Sequence, residues 1–263
     1  MCAFPAGAVP TSLLRTVDAF WRVEARGGAG RVLPDGCLDF LFDLREARAL
    51  IVGPMTRAEV VHLSPGARLF GVRFRPGAGA LFLDARADEL GDRHAPLADV
   101  VKAETARLTD EVFEAENDAD RIAAVARFLA QAGARKRAED SRVRHAVSTL
   151  CRSHGSASVR DVAMAVRLSE RQLERLFLER VGLGPKLFAR VMRLQRAVTL
   201  DSGTVTGSQA ELALHAGYAD ESHLLRDFRA LAGLSPRALA EERRVGSVQD
   251  GSAKAEQSPA QEP

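Results

Sequence analysis

Hydrophobic and polar positions alternate with a period of two along part of the first third of the chain, as is typical of strands. In "CLDFLFDL" the apolar residues Leu38, Phe40, Phe42 and Leu44 fall on one face. The apolar runs "ALIVG", "EVVHL" and "RLFGVRF" follow, separated by the turn-forming stretches "PMTR" and "SPGA". The region 30–75 is therefore predicted to form a small antiparallel sheet or a partial barrel.

From about residue 96 the apolar spacing becomes helical. Helices are predicted within 97–115 and 118–133, and Gly133 is the expected end of the second. The polar stretch "GARKRAEDS" (133–141) separates this region from one that is predicted to be helical throughout. Its predicted helices cover about 141–154, 158–165, 169–181, 185–201, 207–215, 220–232 and 235–243.

We expect an α+β chain in three parts. Residues 1–135 are predicted to form a β-rich domain, a small barrel or sheet, followed by helices. Residues 141–245 are predicted to form an all-α domain with two helix-turn-helix units. The tail 246–263 has almost no large apolar residue and is predicted to be disordered.

Two pairs of the predicted helices share the layout of a helix, a tight turn and a second helix. The second helices begin at good N-cap residues, Ser169 and Asp220, and end at Gly182 and Gly233, each followed shortly by a proline. Ser169 with Gln172 three residues later predicts a capping box. This layout is that of the helix-turn-helix unit, whose second helix can lie in the major groove of DNA.

Each of these second helices has an apolar stripe that should pack inward and polar positions near its N-terminus that should face outward. The stripes comprise Leu173, Leu176, Phe177 and Val181, and Leu224, Phe228 and Leu231. Arginine can bond a guanine edge and glutamine an adenine edge, so the outward positions are candidates for base contacts. The candidate DNA-binding residues are Ser169, Glu170, Arg171, Gln172, Glu174, Arg175, Asp220, Glu221, Ser222, His223, Arg226 and Arg229.

The stretch "PKLFARVMRLQRAVTL" between the two units predicts a connecting helix, about 24 Å long at 1.5 Å per residue. Together with the width of the flanking units, such a helix could hold the two second helices at a separation close to one helical turn of DNA, ~34 Å. One chain would then enter two successive major grooves on one side of the duplex.

Charge is distributed unevenly, although the formal net charge is only +2. Residues 141–245 carry 17 Lys and Arg against 11 Asp and Glu, whereas residues 1–140 carry 19 against 21. This asymmetry favours contact of the C-terminal half with a polyanion. No run of about 18 apolar residues occurs, and the N-terminus lacks a basic segment followed by an apolar one. We therefore expect a cytoplasmic protein without a membrane span.

Three cysteines, Cys2, Cys37 and Cys151, lie far apart without a C-x-x-C pair, which favours reduced thiols over a disulfide framework or a zinc site. Cys37 beside Asp39 invites a metal or redox interpretation with His62 as the nearest partner. No ligand spacing links these residues, so a core cysteine is favoured. No metal and no cofactor are expected.

The stretch "RPGAGA" (75–80) could hold a phosphate, but it lacks the lysine and hydroxyl residue of a P-loop. A turn that opens a helix is therefore favoured there. Polar groups inside a small barrel need a reason. We therefore keep Asp39, Arg73 and Arg75 as candidate ligand-binding residues.

Residues 143–243 resemble the DNA-binding domain of AraC/XylS-type transcription regulators. The signature of that family is A-G-F/Y-x-D/S-x-S-x-F-x-R-x-F, then glycine and Ser/Thr-Pro. It is found here as Ala216, Gly217, Tyr218, Asp220, Ser222, Arg226, Phe228, Gly233, Ser235 and Pro236.

The chain departs from the family pattern at three positions. Leu224 stands where phenylalanine is usual. In the first unit Val166 and Arg167 stand where the family often has a small residue and glycine. The resemblance implies base-facing positions at Arg171, Gln172, Glu174 and Arg175, and at Glu221, Ser222, His223 and Arg226.

The stretches "RVLPDGCLDFLFDL", "VGPMTR" and "GVRFRPGAGALFL" resemble an N-terminal domain of unknown function that is attached to regulators of this family. Such domains generally sense an effector or mediate dimerisation and are often cupin-like barrels, so the resemblance implies a cupin-like form for the β-rich domain. The resemblance therefore implies a sequence-specific transcription regulator that is not an enzyme. Its implied partners are double-stranded DNA, a small-molecule effector, a second copy of the chain and, for an activator, RNA polymerase.

Two other classes of function stay open. One is a DNA-binding enzyme of the repair type with a catalytic N-terminal half, which would need zinc-bound cysteines or an active-site cysteine motif. Three scattered cysteines do not provide either. The other is a protein-interaction scaffold whose arginines only keep its surface soluble. The paired units on the basic half of the chain favour the regulator over both.

Overall fold

The computed structural model describes residues 2–4, 9–101, 104–135, 140–202 and 208–249. It has a β-rich N-terminal region that ends in helices, followed by an all-helical C-terminal region, so the α+β class predicted from the sequence is confirmed. Among the helices in these ranges, none combines the length and the apolar character needed to cross a membrane.

The strands pair antiparallel throughout. Within the described residues, strands β1 to β8 cover Cys2–Ala3, Val17–Glu24, Gly28–Val32, Leu38–Asp43, Arg48–Val52, Glu59–Leu63, Arg68–Phe74 and His94–Pro96. Six of them form a sheet in the order β1-β2-β7-β4-β5-β8, and β3 pairs with β6 as a separate ribbon. In this part of the chain the edge strands β1 and β8 do not pair with each other. Of the two predicted forms, a sheet or a barrel, the open sheet is the one observed.

Helices α1 to α10 of the described residues cover Leu97–Val100, Thr105–Glu114, Asp118–Arg135, Ser141–Arg152, Val159–Ala165, Glu170–Val181, Pro185–Ser202, Gln209–His215, Glu221–Asp227 and Pro236–Gln249. A single π-helical turn, Phe228–Ala232, continues α9. Short 3-10 helices lie at Thr11–Leu13, Gly79–Phe82 and Ala87–Leu90.

Two predicted helix ends are wrong. Helix α3 passes through Gly133 and ends at Arg135. Helix α10 extends to Gln249, so the first four residues of the tail that was predicted to be disordered are helical. The rest of that tail, 250–263, lies outside the described residues, as do residues 136–139 of the predicted linker.

Phenylalanine side chains fill the interior of the N-terminal region, because apolar residues recur at every second position of the central strands. Phe40 packs edge-on against Phe74 with 4.7 Å between ring centroids, and Phe42 lies 6.1 Å from Phe70. All four are fully buried. The helices that follow the sheet, of which α2 and α3 contribute Leu108, Val112 and Val125 among others, cover this face.

The ribbon of β3 and β6 extends the two strands β2 and β7 beyond the sheet. The ladder passes from Glu24 and Arg68 in the sheet to Gly28 and Leu63 in the ribbon. Gly28 has a φ of 130°, which residues with a side chain avoid, so the chain bends at this point. The bend directs the ribbon to the C-terminal region, where Arg31 forms an ion pair with helix α10.

Helix α7 divides its apolar residues between two cores of the C-terminal region. Phe188 and Val191 in its first half pack with the first helix-turn-helix unit. Leu194 and Ala197 in its second half pack with the second unit. All four are buried, and the helix is roughly 27 Å long at 1.5 Å per residue. The two units are therefore joined by one continuous packed helix.

We expect Gly71→Ala to lower the free energy of unfolding by about 1–3 kcal/mol, because another side chain already occupies the space that a Cβ at this position would need. Gly71 of β7 faces the indole of Trp21, the only tryptophan of the chain, and a Cβ there would lie 2.0 Å from the Trp21 Cε2 atom. Urea unfolding followed by circular dichroism measures the loss, and the emission of Trp21 reports the displaced ring.

Gly30→Ala is the matched control, because nothing in the described structure lies within 4 Å of a Cβ at Gly30. Equal losses of stability in the two variants would show that the contact with Trp21 is not the cause.

Candidate nucleic-acid interface

Helix α6 begins with the predicted capping box. The Ser169 Oγ accepts a hydrogen bond from the backbone N–H of Gln172 at 3.2 Å, and the Gln172 Oε1 accepts one from the backbone N–H of Ser169 at 2.9 Å. The helix ends at Gly182, which has a φ of 84° and donates to backbone oxygens of the last turn. Because local residues satisfy the free N–H and C=O groups at both ends, this confirms the bounds predicted from the sequence.

Helix α9 begins in the same way, but its last turn differs. The Asp220 carboxylate accepts from the backbone N–H of His223 at 2.7 Å, as its predicted role as N-cap requires. After Asp227 the helix widens into the π-helical turn Phe228–Ala232 and then ends at Gly233, which has a φ of 73°. The predicted extent of this helix is confirmed, and the π-helical turn was not foreseen.

The turns of the two units close with equivalent hydrogen bonds. In the first unit the backbone N–H of Leu168 donates to the Ala163 oxygen at 3.0 Å. In the second the N–H of Tyr218 donates to the Ala213 oxygen at 2.9 Å. The two units therefore share their backbone geometry, although their turn residues differ.

Arg167 in the first turn adopts the conformation that glycine adopts in the second. Gly217 has a φ of 82°, and Arg167, one residue before Leu168 as Gly217 is before Tyr218, has a φ of 55°. A residue with a side chain enters this left-handed region at a cost of about 1–2 kcal/mol. The first turn is thus formed at the expense of backbone strain at Arg167.

The predicted inward stripes pack inward. Leu173, Phe177, Val181, Leu224, Phe228 and Leu231 are buried, and Leu176 is half-buried. The candidate DNA-binding residues lie along the outer sides of α6 and α9 and the π-helical turn. Ser169, Glu170, Arg171, Gln172, Glu174, Arg175, Asp220, Glu221, Ser222, Arg226 and Arg229 are exposed, and His223 is half-buried. Their contact with DNA stays a prediction.

Gln172 has two competing tasks. Its Oε1 accepts from both the backbone N–H and the hydroxyl of Ser169, at 2.9 and 3.1 Å. A bidentate bond with an adenine edge needs the amide oxygen as well as the amide nitrogen. Gln172 must therefore give up part of the capping box if it binds adenine in this way.

A buried carboxylate that the sequence analysis did not single out fixes helix α9 to helix α7. Asp227 is 3% exposed, and one of its oxygens accepts from the Arg190 Nε at 2.9 Å. The ring of His223 lies 4.0 Å from the other carboxylate oxygen. The signal available in the sequence was an acidic residue directly before Phe228 of the inward stripe, where an unpaired charge would be costly.

A cleft of about 540 Å³ opens between helix α4 and the turn of the first unit. Its lining residues are Ser141, Arg142, Arg144, His145, Ser148, Ala165, Val166 and Arg167. Three arginines and a histidine thus border the cleft, and one of them, Arg142, is paired with the neighbouring Asp140 at 2.7 Å. Arg144, Arg167 and His145 give the cleft a basic lining beside the turn that precedes α6.

Two of the three predicted ligand-binding residues lie in a buried cluster of the N-terminal sheet. The Asp39 carboxylate accepts hydrogen bonds from the Trp21 Nε1 at 3.1 Å and the Arg73 Nε at 3.2 Å. Arg73 also lies 3.2 Å from Asp35. Burial raises the pKa of Asp39 to about 6, and the nearby Asp35 adds to this, although Arg73 acts in the opposite direction. These groups satisfy one another, and their binding of a ligand stays a prediction.

Arg75 has other partners than the Asp39 cluster. Its Nε donates to the Leu14 oxygen at 2.8 Å, and its guanidinium lies 3.8 Å from Asp18. The 3-10 helix Gly79–Phe82 follows, which fits the turn predicted for 75–80. The structure therefore brings Asp39 and Arg73 together and places Arg75 in separate contacts.

Two family models match the chain. One describes a domain of unknown function (DUF6597) and covers residues 9–96, and the other describes a helix-turn-helix domain and covers residues 162–242. Among solved structures, a transcriptional regulator with an AraC-type DNA-binding domain from Chromobacterium violaceum is 30% identical. The match covers 39% of this chain and 92% of that one, with a TM-score of 0.36. This chain belongs to the AraC-type transcription regulators. It is a DNA-binding protein that regulates transcription.

The AraC-type regulator is also similar, at lower identity, to structures of ToxT from Vibrio cholerae. One determined at 1.65 Å is 11% identical over 84% of this chain and 96% of that one, with a TM-score of 0.45. Another, with a bound unsaturated fatty acid, is 12% identical over 84% and 92%, with a TM-score of 0.42. A likeness this distant says nothing about a ligand of this chain. No curated protein sequence matches it.

We expect Arg167→Gly to raise the free energy of unfolding by about 1 kcal/mol, because glycine adopts a positive φ without strain. Urea unfolding measures the gain. Gly217→Ala is the reciprocal variant and should lower the free energy of unfolding by about 1 kcal/mol. If Arg167→Gly destabilised the protein, contacts of the arginine side chain would outweigh the backbone strain.

We expect the contribution of Asp39 to the stability of the protein to fall as the pH rises from about 4 to about 6. Because its pKa is raised in the folded state, the folded chain binds the proton more tightly than the unfolded chain in this window. The wild type should lose up to about 3 kcal/mol relative to Asp39→Asn between pH 4 and pH 7. Urea unfolding of both proteins across this range measures the difference. Parallel profiles would mean that Arg73 keeps Asp39 ionised throughout.

Proposed function

We propose that the two helix-turn-helix units read two adjacent major grooves of one DNA duplex. The observation that supports this is the same pattern of exposure on both units. In the N-terminal halves of α6 and of α9 with its π-helical turn, outward polar residues such as Arg175 and Arg226 are exposed, whereas the inward Leu173 and Leu224 are buried. N-terminal positions of such helices are those that reach base edges. We call α6, and α9 with its π-helical turn, the reading helices.

Helix α7 supports the spacing that this mode of binding requires. It runs unbroken over Pro185–Ser202, roughly 27 Å, and packs into both units. Successive major grooves on one face of DNA lie about 34 Å apart. The helix and the width of the flanking units are of the size needed to span that distance.

Phosphate contacts would set the position of the protein on the duplex. The cleft beside helix α4 is lined by Arg144 and by Arg167, which precedes the N-cap of the first reading helix by two residues. The N–H groups at the N-termini of both reading helices add partial positive charge. We propose that a DNA phosphate occupies this cleft when the first reading helix enters its groove.

We expect Arg175→Ala and Arg226→Ala each to weaken binding of the preferred sequence by about 1–3 kcal/mol and to relax one base position. Both side chains are exposed on the N-terminal half of a reading helix. Selection from a random-duplex pool with the full chain identifies the preferred sequence, and titration with each variant measures the loss.

Arg237→Ala is the matched control, because Arg237 is an equally exposed arginine of the C-terminal region that lies on helix α10. Two motifs about one helical turn apart are expected from the wild type. The proposal would be overturned if selection enriched no sequence, if binding depended steeply on salt and if the variants bound as the wild type does. The protein would then contact only phosphates.

The N-terminal region has the role of a sensing or dimerising domain in this proposal, with the domain limits at residues 135 and 141. Phenylalanine rings pack in its interior, and we propose that an effector binds at the surface. A cleft of about 240 Å³ at the ends of strands β2 and β7 is lined by Arg22, Arg68 and Arg121 together with Glu24, Glu116 and Asp118, and offers such a place. Effector, homodimer and contact with RNA polymerase stay predictions.

We propose further that the chain is not an enzyme. A repair-type alkyl transfer would need a reactive thiolate. Burial raises the pKa of the Cys37 thiol well above its ordinary value, and it raises the pKa of Cys151 to about 11. Both thiols therefore stay protonated at neutral pH, which disfavours the enzymatic alternative.

A further inference from the structure

One loop of the N-terminal region contacts the C-terminal ends of both reading helices. This loop, residues 53–58, connects β5 to β6. Near its start, the Pro54 ring packs on Gly182 at the end of the first reading helix, where a Cβ would lie 2.7 Å from the Pro54 Cγ. At its end, the backbone N–H of Ala58 donates to the Leu231 oxygen in the last turn of the second reading helix at 2.6 Å.

The two contact points lie only four residues apart along the chain. Four residues span at most about 14 Å, even when fully extended. The C-terminal ends of the reading helices therefore converge on one short segment. Their exposed N-termini lie about three turns away from it, at Ser169 and Asp220. A small change in the position of the loop would alter the angle between the helices and so the distance between their N-termini.

The loop is held in one conformation by Asp92. The Asp92 carboxylate accepts hydrogen bonds from the backbone N–H of Thr56 at 2.7 Å and from the Thr56 hydroxyl at 2.5 Å. The N–H of Asp92 itself donates to the Pro54 oxygen at 3.1 Å. Asp92 has a φ of 52°, and a strained residue of this kind persists only where the surroundings determine it strongly.

The β3–β6 ribbon supports the same contact from a second side. Arg31 donates to the Ala232 oxygen at 3.2 Å and to the Glu242 carboxylate of helix α10 at 3.0 Å. Ala232 is the last residue of the π-helical turn, whose free carbonyl groups carry partial negative charge. The guanidinium therefore fixes the end of the second reading helix and the following helix together.

The N-terminal region contacts a different part of the reading helices from the part that DNA would contact in the proposed function. These contacts all involve the last turn of a reading helix or helix α10, whereas the candidate base-contacting residues begin at the N-caps. The N-terminal region can thus stay in place while both N-terminal turns enter a groove.

We propose that residues 53–58, held by Asp92 and supported by Arg31, are a spacing element that fixes the separation of the two reading helices. Asp92, Thr56 and Arg31 are then positioning residues for DNA recognition, although none of them contacts DNA. This inference rests on the proposed function, in which both helices read one duplex. Its consequence is that the N-terminal region determines which spacing of half-sites the protein accepts.

Changing the spacing of the half-sites tests this directly. One added base pair moves the second half-site by about 3.4 Å and rotates it by roughly 36°. The selected duplex is compared with duplexes that carry one or five extra base pairs between the two motifs. Binding is titrated with the full-length wild type and with the double variant Asp92→Gly/Arg31→Ala. Glycine is chosen because it adopts the positive φ of Asp92 without strain.

We expect one added base pair to weaken binding of the wild type by about tenfold or more, the loss of at least one base contact. The double variant should lose less than about threefold on the same change, and it should bind the unaltered duplex more weakly than the wild type because its helices are no longer held in the matching geometry. Five added base pairs place the half-sites on opposite faces of the duplex and should abolish paired binding in both proteins.

The control Glu46→Gly/Arg107→Ala replaces an exposed acidic turn residue and an exposed arginine within the N-terminal region. It should discriminate spacing as the wild type does. If the double variant does not fold, Thr56→Val, which removes only the hydroxyl bond to Asp92, takes its place in the same comparison.

The outcomes separate the inference from the function on which it rests. If the variant discriminates spacing as sharply as the wild type, the spacing element is refuted and two-groove reading stands. If the wild type itself is indifferent to one and to five added base pairs, two-groove reading fails.

Discussion

The burial of one face of helix α7 in two cores is the interaction on which the C-terminal region depends. A helix-turn-helix unit of about 30 residues buries too little apolar surface to fold by itself. Phe188 and Val191 complete the first unit, and Leu194 and Ala197 complete the second. Because all four belong to one helix, only small changes in the angle between the units are possible, through bending of α7, and larger ones would expose apolar surface.

Polar side chains of α7 reinforce this coupling at its two sides. Arg193 donates to the Gly155 oxygen before the first unit and lies 5.6 Å from the ring centroid of Tyr218 in the turn of the second. Arg190 pairs with the buried Asp227. Apolar contacts have little directional preference, whereas these hydrogen bonds and ion pairs require a particular orientation. Arg190 and Arg193 therefore help to fix the orientation of α7 relative to both units.

Features that depend on a few neighbouring residues could be predicted from the sequence. The capping box at Ser169, the N-cap at Asp220 and the glycine ends of the reading helices are local, so their residues determine them wherever the helices pack. The alternation of apolar and polar residues in strand β4 is equally local, and it correctly predicted which face of the strand is buried. The positions of the exposed polar residues on the reading helices followed from the same periodicity.

Features that depend on distant residues could not be predicted in this way. Strand β2 was missed because a bulge between Val17 and Ala19 interrupts its alternation, so that Val17 and Phe20 face the core whereas Trp21 faces the other side. The bulge is set by pairing with β7, about 50 residues later. The π-helical turn and the pair of Asp227 with Arg190 depend on the packing of α7. Nothing around Pro54 indicated a contact with Gly182, since the glycine already had a local explanation as a helix end.

The N-terminal region and helix α7 together hold the reading helices at more points than a single linker does, and this has a thermodynamic consequence. When two binding modules are joined by a flexible linker, the second binds with an effective concentration that falls as the linker lengthens, and many spacings are tolerated. When the modules are fixed, little ordering entropy is lost on binding, so affinity is gained for one geometry. The same rigidity removes the freedom to follow a displaced half-site. A regulator built in this way obtains from one chain the selectivity for spacing that other helix-turn-helix proteins obtain from a dimer interface. Its N-terminal region then contributes to recognition through the contacts of Pro54, Ala58 and Arg31, whether or not it also binds an effector.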